Sequence, residues 1–162
     1  MYQDYKDLLS AFHVHGVKYL IVGGYAVIFH AQPRFTKDLD LFIKSDPENA
    51  QATYAALAGF GAPLEGIRPE DFADRGSFFR FGSEPRGIDI LPHVPGVDFE
   101  AAWERRVEGV IDPQSGLKAF FISREDLIAA KLASGRTRDL ADVEDIRHAL
   151  RSRAPADPGR RQ

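Results

Sequence analysis

The sequence predicts an α+β fold, a mixed β-sheet flanked by helices and followed by a C-terminal helical pair. Short β-rich apolar runs recur at Val17–Val22, Asp38–Ile43 and Ile88–Val94. Amphipathic helical stripes precede and separate them, and from Ser123 onward the pattern is helical alone. At 162 residues the chain is one domain with a short helical appendage. The expected division is a sheet core over 1–122, a helical pair over 123–151 packed on it, and a frayed tail over 152–162.

The first helix spans Tyr2 to His15, with Tyr5, Leu8, Leu9 and Phe12 on one stripe and Gly16 closing it. Val17–Val22, Gly23-Gly24 and Tyr25–His30 read as strand, tight turn and helix. Pro33 makes the following segment a loop. Asp38–Ile43 then alternates, with Leu39, Leu41 and Ile43 facing one way and Asp38, Asp40 and Phe42 the other. Ser45-Asp46-Pro47-Glu48 starts a helix that runs to about Leu57 and stops at Gly59 or Gly61. Residues 62–74 are read as loop. Ser77–Phe81 and Ile88–Val94 are strands around a turn-rich Gly82–Gly87, and Phe99–Arg106 is a short helix. Val107–Ile111 and Leu117–Ile122 form a hairpin. Ser123 caps Arg124–Ser134, and Asp139–Arg151 carries a stripe of Leu140, Val143, Ile146 and Leu150.

Composition narrows the function. The chain has no cysteine, which excludes disulfides, thiolate metal sites and a cysteine nucleophile. The N-terminus does not read as a signal peptide, and no apolar run is long enough to span a bilayer, so the expected location is the cytoplasm. A net charge of −3 argues against a generic nucleic-acid binder. Arg68, Arg75, Arg80 and Arg86 crowd one middle segment and are candidates for a local basic face. The histidines show no zinc spacing, and there is no nucleophile elbow or Walker-type loop.

Asp38-Leu39-Asp40 is the feature that calls for a reason, because aspartate is a poor strand former. Spaced by two, the carboxylates leave the same face with Cα atoms about 6.5–7 Å apart. They can share one divalent cation or bridge two, and oxygen-only ligands suit Mg²⁺, with Mn²⁺ as its substitute. The plainer alternative is a solvent-facing edge strand with Lys37 and Lys44 as partners. Gly23-Gly24, at a strand-to-helix junction, permits unusual φ and lets a phosphate approach backbone amides and a helix N-terminus. Arg34 offers a fork for phosphate and Thr36 a hydroxyl. Asp89, between Ile88 and Ile90, would complete a three-carboxylate metal cluster with Asp38 and Asp40 if the two strands are neighbours. It could then also take the acceptor hydroxyl's proton.

Val22-Gly23-Gly24-Tyr25-Ala26 followed by Arg34-Phe35-Thr36-Lys37-Asp38-Leu39-Asp40 resembles the core of the minimal nucleotidyltransferases of the polymerase-beta-like superfamily. Within it, the pattern is most similar to the abortive-infection and type IV toxin–antitoxin (AbiEii-like) enzymes. The segment from Lys131 to Val143 is similar to that family's lysine-then-aspartate helices. The resemblance implies a nucleotidyltransferase-like core over 1–122 that transfers an NMP from an NTP, ATP among them, to a hydroxyl of RNA, protein or a small molecule. It implies Asp38, Asp40 and Asp89 as catalytic metal ligands, and Lys131 as a catalytic, triphosphate-binding cation. Gly23, Gly24, Arg34 and Thr36 would hold the nucleotide. The acceptor would be tRNA or a protein, and the partner a cognate antitoxin or toxin. Gly24 stands where many members carry serine, which leaves the turn to work by its backbone. The alternative function is a catalytically weak or inactive binding module, an antitoxin or nucleotide sensor. Asp139 and Asp142 rank below Lys131, with Arg138 and Asp142 read as a surface pair.

Overall fold

In a computed structural model, which describes residues 1–83 and 85–153, one six-stranded sheet organises the chain. Its strands are β1 (Tyr19–Val22), β2 (Leu39–Ile43), β3 (Phe79–Phe81), β4 (Ile88–Leu91), β5 (Val107–Asp112) and β6 (Leu117–Phe121), in the order β3-β4-β2-β1-β6-β5. β1 pairs antiparallel with β2 and parallel with β6, while β2 pairs parallel with β4. The two outer pairs, β3–β4 and β5–β6, are antiparallel. The sheet is therefore mixed. No helix among the described residues is long and apolar enough to cross a membrane.

Strand alternation sorts side chains into two cores. Tyr19, Ile21, Leu39, Leu41, Ile43, Ile88 and Ile90 join Tyr5, Leu8, Leu9 and Phe12 of α1 (Gln3–Val14) and Ala50, Ala56 and Leu57 of α3 (Pro47–Phe60). On the other face Leu20, Val22 and Phe42 pack with Ala26 and Val27 of α2 (Gly23–His30) and Phe99 and Ala102 of α4 (Phe99–Glu104). Leu127 of α5 (Arg124–Ser134) and Ile146 of α6 (Thr137–Arg153) complete this second core. Asp40 and Asp89 belong to this second face, beside α5 and α6.

The helix ends follow local chemistry. Asp46 caps α3 by accepting from the Asn49 amide at 2.7 Å, Pro47 opens it, and Gly61 ends it at φ +97°. Ser123 accepts from the Asp126 amide at 3.1 Å, and Gly135 closes α5 in the left-handed region.

Three expectations need correction. Residues 62–74 contain a 3₁₀ turn at Pro69–Ala73, opened by Pro69 and capped at its start by Asp71, which accepts from the Arg68 amide at 2.8 Å. The α6 stripe is rotated: Val143 and Ile146 are buried, but Leu140 and Leu150 are 46% and 41% exposed. Asp139 and Asp142 take the buried face instead, each 2% exposed. Finally, α6 reaches Arg153, so the tail expected over 152–162 starts inside the helix, and its residues 154–162 lie outside the described ones.

Candidate active site

The carboxylates meet through sheet register. β2 and β4 run parallel with Asp40 directly opposite Asp89, so the two side chains leave the same face of adjacent strands. Asp38 precedes β2 by one residue, and a Cβ on Gly87 would lie 2.6 Å from its Oδ1. Tyr5, fully buried on α1, ties the starts of both strands together. Its hydroxyl lies 2.7 Å from the Lys37 carbonyl and 2.9 Å from the Gly87 carbonyl, and the Leu39 amide donates to Gly87 at 3.0 Å.

Burial pushes the Asp40 carboxyl well above the usual carboxylate range, helped by its hydrogen bond to Asp89 and by the charges of Asp89 and Asp38; Lys131 opposes the shift. Two buried oxygens, Asp38 Oδ1 and Asp89 Oδ1, have no hydrogen-bond partner. Orphaned carboxylate oxygens beside a crowded third acid need a cation. One cation is already present. Arg80 on β3, opposite Asp89 in register, places Nη2 2.7 Å from Asp38 Oδ2 and Nε 3.7 Å from Asp89 Oδ1. Among the described residues, no group of three or more His, Cys, Asp or Glu side chains is placed to hold a metal ion by itself. The all-oxygen donor set still fits Mg²⁺, which keeps waters and takes one or two carboxylates plus substrate phosphates.

Gly23 and Gly24 open α2 rather than forming a separate turn before it. Gly23 adopts φ +66°, and a Cβ there would overlap the Asp40 carboxylate. Glycine is therefore required twice, by backbone conformation and by the aspartate packed against it. Gly24 answers a different constraint: a Cβ there would overlap the Thr36 hydroxyl. Thr36 thus fills the space that a side chain at position 24 would occupy, so the helix start has a hydroxyl beside it after all.

Arg34 and Lys131 converge on α6. Arg34 Nη1 pairs with Asp142 Oδ1, and Lys131 Nζ lies 2.9 Å from Asp142 Oδ2 and 3.0 Å from Asp139 Oδ1. Asp139 also accepts from Arg136 Nε at 2.7 Å and from the Ser134 hydroxyl at 2.6 Å. Burial works to raise the Asp139 carboxyl, but hydrogen bonds from Ser134, Arg136 and Lys131 outweigh it and hold the group down at about 2. Asp142 is consequently no surface partner of Arg138. The two buried acids orient the cations that the sequence singled out.

All the expected site residues, Gly23, Gly24, Arg34, Thr36, Asp38, Asp40, Asp89 and Lys131, line one cleft of about 790 Å³. Sequence reasoning missed the roles of Arg80, Asp139 and Asp142. The middle arginines do not act together: Arg75 donates to His93 Nδ1 at 3.1 Å, and Arg86 lies over the Tyr2 ring at 4.9 Å. Only Arg80 of that group lines the cleft.

Comparison with known proteins bears on the fold and the family. The fold is similar to the lincosamide antibiotic adenylyltransferase LnuA in its lincomycin-bound crystal structure, at TM-score 0.58 and 18% identity, covering 92% of this chain and 98% of that one. It is also similar to an antigenic nucleotidyltransferase-like protein from Paracoccidioides brasiliensis, at TM-score 0.53 and 18% identity, covering 94% and 76%. No protein of curated function matches the chain. Residues 4–150 match a family described as nucleotidyltransferases of unknown function, DUF6036, and the chain belongs to that family.

Proposed function

We propose that the chain carries out Mg²⁺-dependent transfer of a nucleoside monophosphate from an NTP to a hydroxyl acceptor. The observation that carries this reading is the direct register of Asp40 with Asp89, against a helix start that must be glycine because Asp40 fills its side-chain space.

Asp38, Asp40 and Asp89 would hold the metal, which supplies charge neutralisation at the triphosphate and at the departing pyrophosphate. The amides at Gly23 and Gly24 and the Thr36 hydroxyl face the phosphates at the α2 N-terminus. Lys131 and Arg34, held in place by Asp142, add positive charge from the α5–α6 side. Asp89 accepts the proton of the acceptor hydroxyl. The acceptor oxygen then bonds to the α-phosphorus, the bond from that phosphorus to the bridging oxygen breaks, and pyrophosphate leaves.

The family is described as nucleotidyltransferases of unknown function and names no toxin–antitoxin role. A toxin role, a cognate antitoxin and a tRNA or protein acceptor are supported by the sequence resemblance alone. The test is incubation with each α-labelled NTP, Mg²⁺, tRNA and cell protein, comparing wild type with Asp38→Ala/Asp40→Ala. Label should move to an acceptor with wild type only; equal label consumption by the variant rejects the assignment. Mg²⁺-dependent thermal stabilisation by NTP with no label transfer would make the chain a nucleotide-binding module.

A further inference from the structure

Nine large hydrophobic side chains are exposed among the described residues, and just two of them are aromatic: Phe35 at 73% and Phe78 at 58%. Both line the cleft of the carboxylates. Neither ring contacts another aromatic ring or a cation among the described residues, whereas most of the other phenylalanines pack into ring pairs or cores. Water-exposed phenylalanine forgoes its transfer free energy, so two at one cleft call for a ligand face.

The local structure holds both rings out. Arg34 is fixed to Asp142 and Thr36 is packed against Gly24, so both neighbours of Phe35 are anchored inward while its ring stays exposed. Phe78 directly precedes β3, two residues from Arg80. The cleft is lined by six Lys or Arg side chains against four Asp; Asp142, paired with Arg34 and Lys131, is a fifth acid at the site, which leaves a local excess of one positive charge in a chain of net charge −3. A protein-docking patch has a contiguous apolar centre depleted of charge. Exposed rings interleaved with cations match a different ligand, in which a flat π-face is tethered to phosphate.

We propose that Phe35 and Phe78 form a stacking subsite for a nucleobase at the mouth of the cleft. The base belongs either to the incoming nucleotide or to the end of a single-stranded nucleic-acid acceptor. The proposal rests on the nucleotidyl-transfer reading only for what the base is attached to.

The test uses the full chain as wild type, Phe35→Ala, Phe78→Ala and the matching Trp variants, and reads binding rather than turnover. Calorimetry with Mg²⁺ measures the four α,β-methylene nucleoside triphosphates and, as a probe without a base, inorganic tripolyphosphate. Fluorescence anisotropy measures a labelled 12-nucleotide single-stranded RNA. At least one Ala variant is expected to bind a base-bearing probe about five- to a hundredfold more weakly, with tripolyphosphate unchanged and Trp restoring affinity. Loss confined to the triphosphate analogues assigns the base to the incoming nucleotide, and loss confined to RNA assigns it to the acceptor. The proposal is overturned if both Ala variants match wild type on every probe, if tripolyphosphate weakens equally, or if wild type binds no base-bearing probe. These readouts are independent of label transfer, so the subsite can stand while the catalytic assignment fails, and the reverse.

Discussion

The Arg80 guanidinium lies 2.7 Å from Asp38 and 3.7 Å from Asp89, bridging two carboxylates expected to ligate metal. A divalent cation therefore competes with a built-in one. Arg80→Ala should tighten Mn²⁺ binding in the absence of nucleotide about three- to tenfold, in line with the modest worth of partly exposed ion pairs. Electron paramagnetic resonance titration of free Mn²⁺ measures this. An unchanged or weaker affinity would show that the arginine does not oppose the metal.

Gly23 and Gly61 both have positive φ, at +66° and +97°, but only Gly23 has a side chain, Asp40, packed against it; nothing lies near a Cβ at Gly61. Gly61→Ala should cost about 1 kcal/mol, the conformational penalty alone. Gly23→Ala should cost clearly more, about 2–4 kcal/mol, and abolish transfer by displacing Asp40. Urea unfolding of the pair separates crowding from backbone strain, and equal losses would contradict the packing described.

Asp142, with its side chain 3% exposed, pairs with both Arg34 and Lys131. Asp142→Ala leaves two cations short of a partner and should destabilise the protein by about 3 kcal/mol or more. It should also raise the KM for NTP, because both cations lose their orientation. Denaturant midpoints and steady-state kinetics check the two effects separately.

Asp139 is held at about 2, below its ordinary value of 3.8. A depressed carboxylate contributes stability above its unfolded value, and that contribution is lost as pH falls through the folded one. Wild type should therefore lose stability between about pH 4 and pH 2 more steeply than Asp139→Asn. Urea midpoints across that range provide the measurement, and parallel slopes would remove Asp139 as the cause.

On α6, Ile146 is fully buried and Leu140 is 46% exposed. Ile146→Ala should cost about 2–5 kcal/mol and Leu140→Ala less than about 0.5. Thermal unfolding of the two variants tests the orientation of the helix directly.

Local patterns were legible where a residue's neighbours along the chain determine its environment. Strict alternation put Asp38 and Asp40 opposite Leu39, Leu41 and Ile43, and it placed Asp89 between two core isoleucines. Asp46-Pro47, Ser123 and Gly135 marked helix ends because capping is a matter of a few adjacent atoms. The α6 stripe failed for an instructive reason. Hydrophobic periodicity assigns acids to solvent, but Asp139 and Asp142 turn inward because Lys131 and Arg34 are waiting there.

The sequence by itself determined the mixed α+β class, the spacing of the two aspartates and the glycine pair at the helix start, since each depends on contacts within a few residues. Tertiary structure alone decided that β2 and β4 are neighbours, that Asp40 faces Asp89, and that Arg80 bridges Asp38 and Asp89. The Asp40–Asp89 and Asp38–Arg80 pairings join residues about forty to fifty positions apart, and register between distant strands is set by how both faces of the sheet bury their side chains.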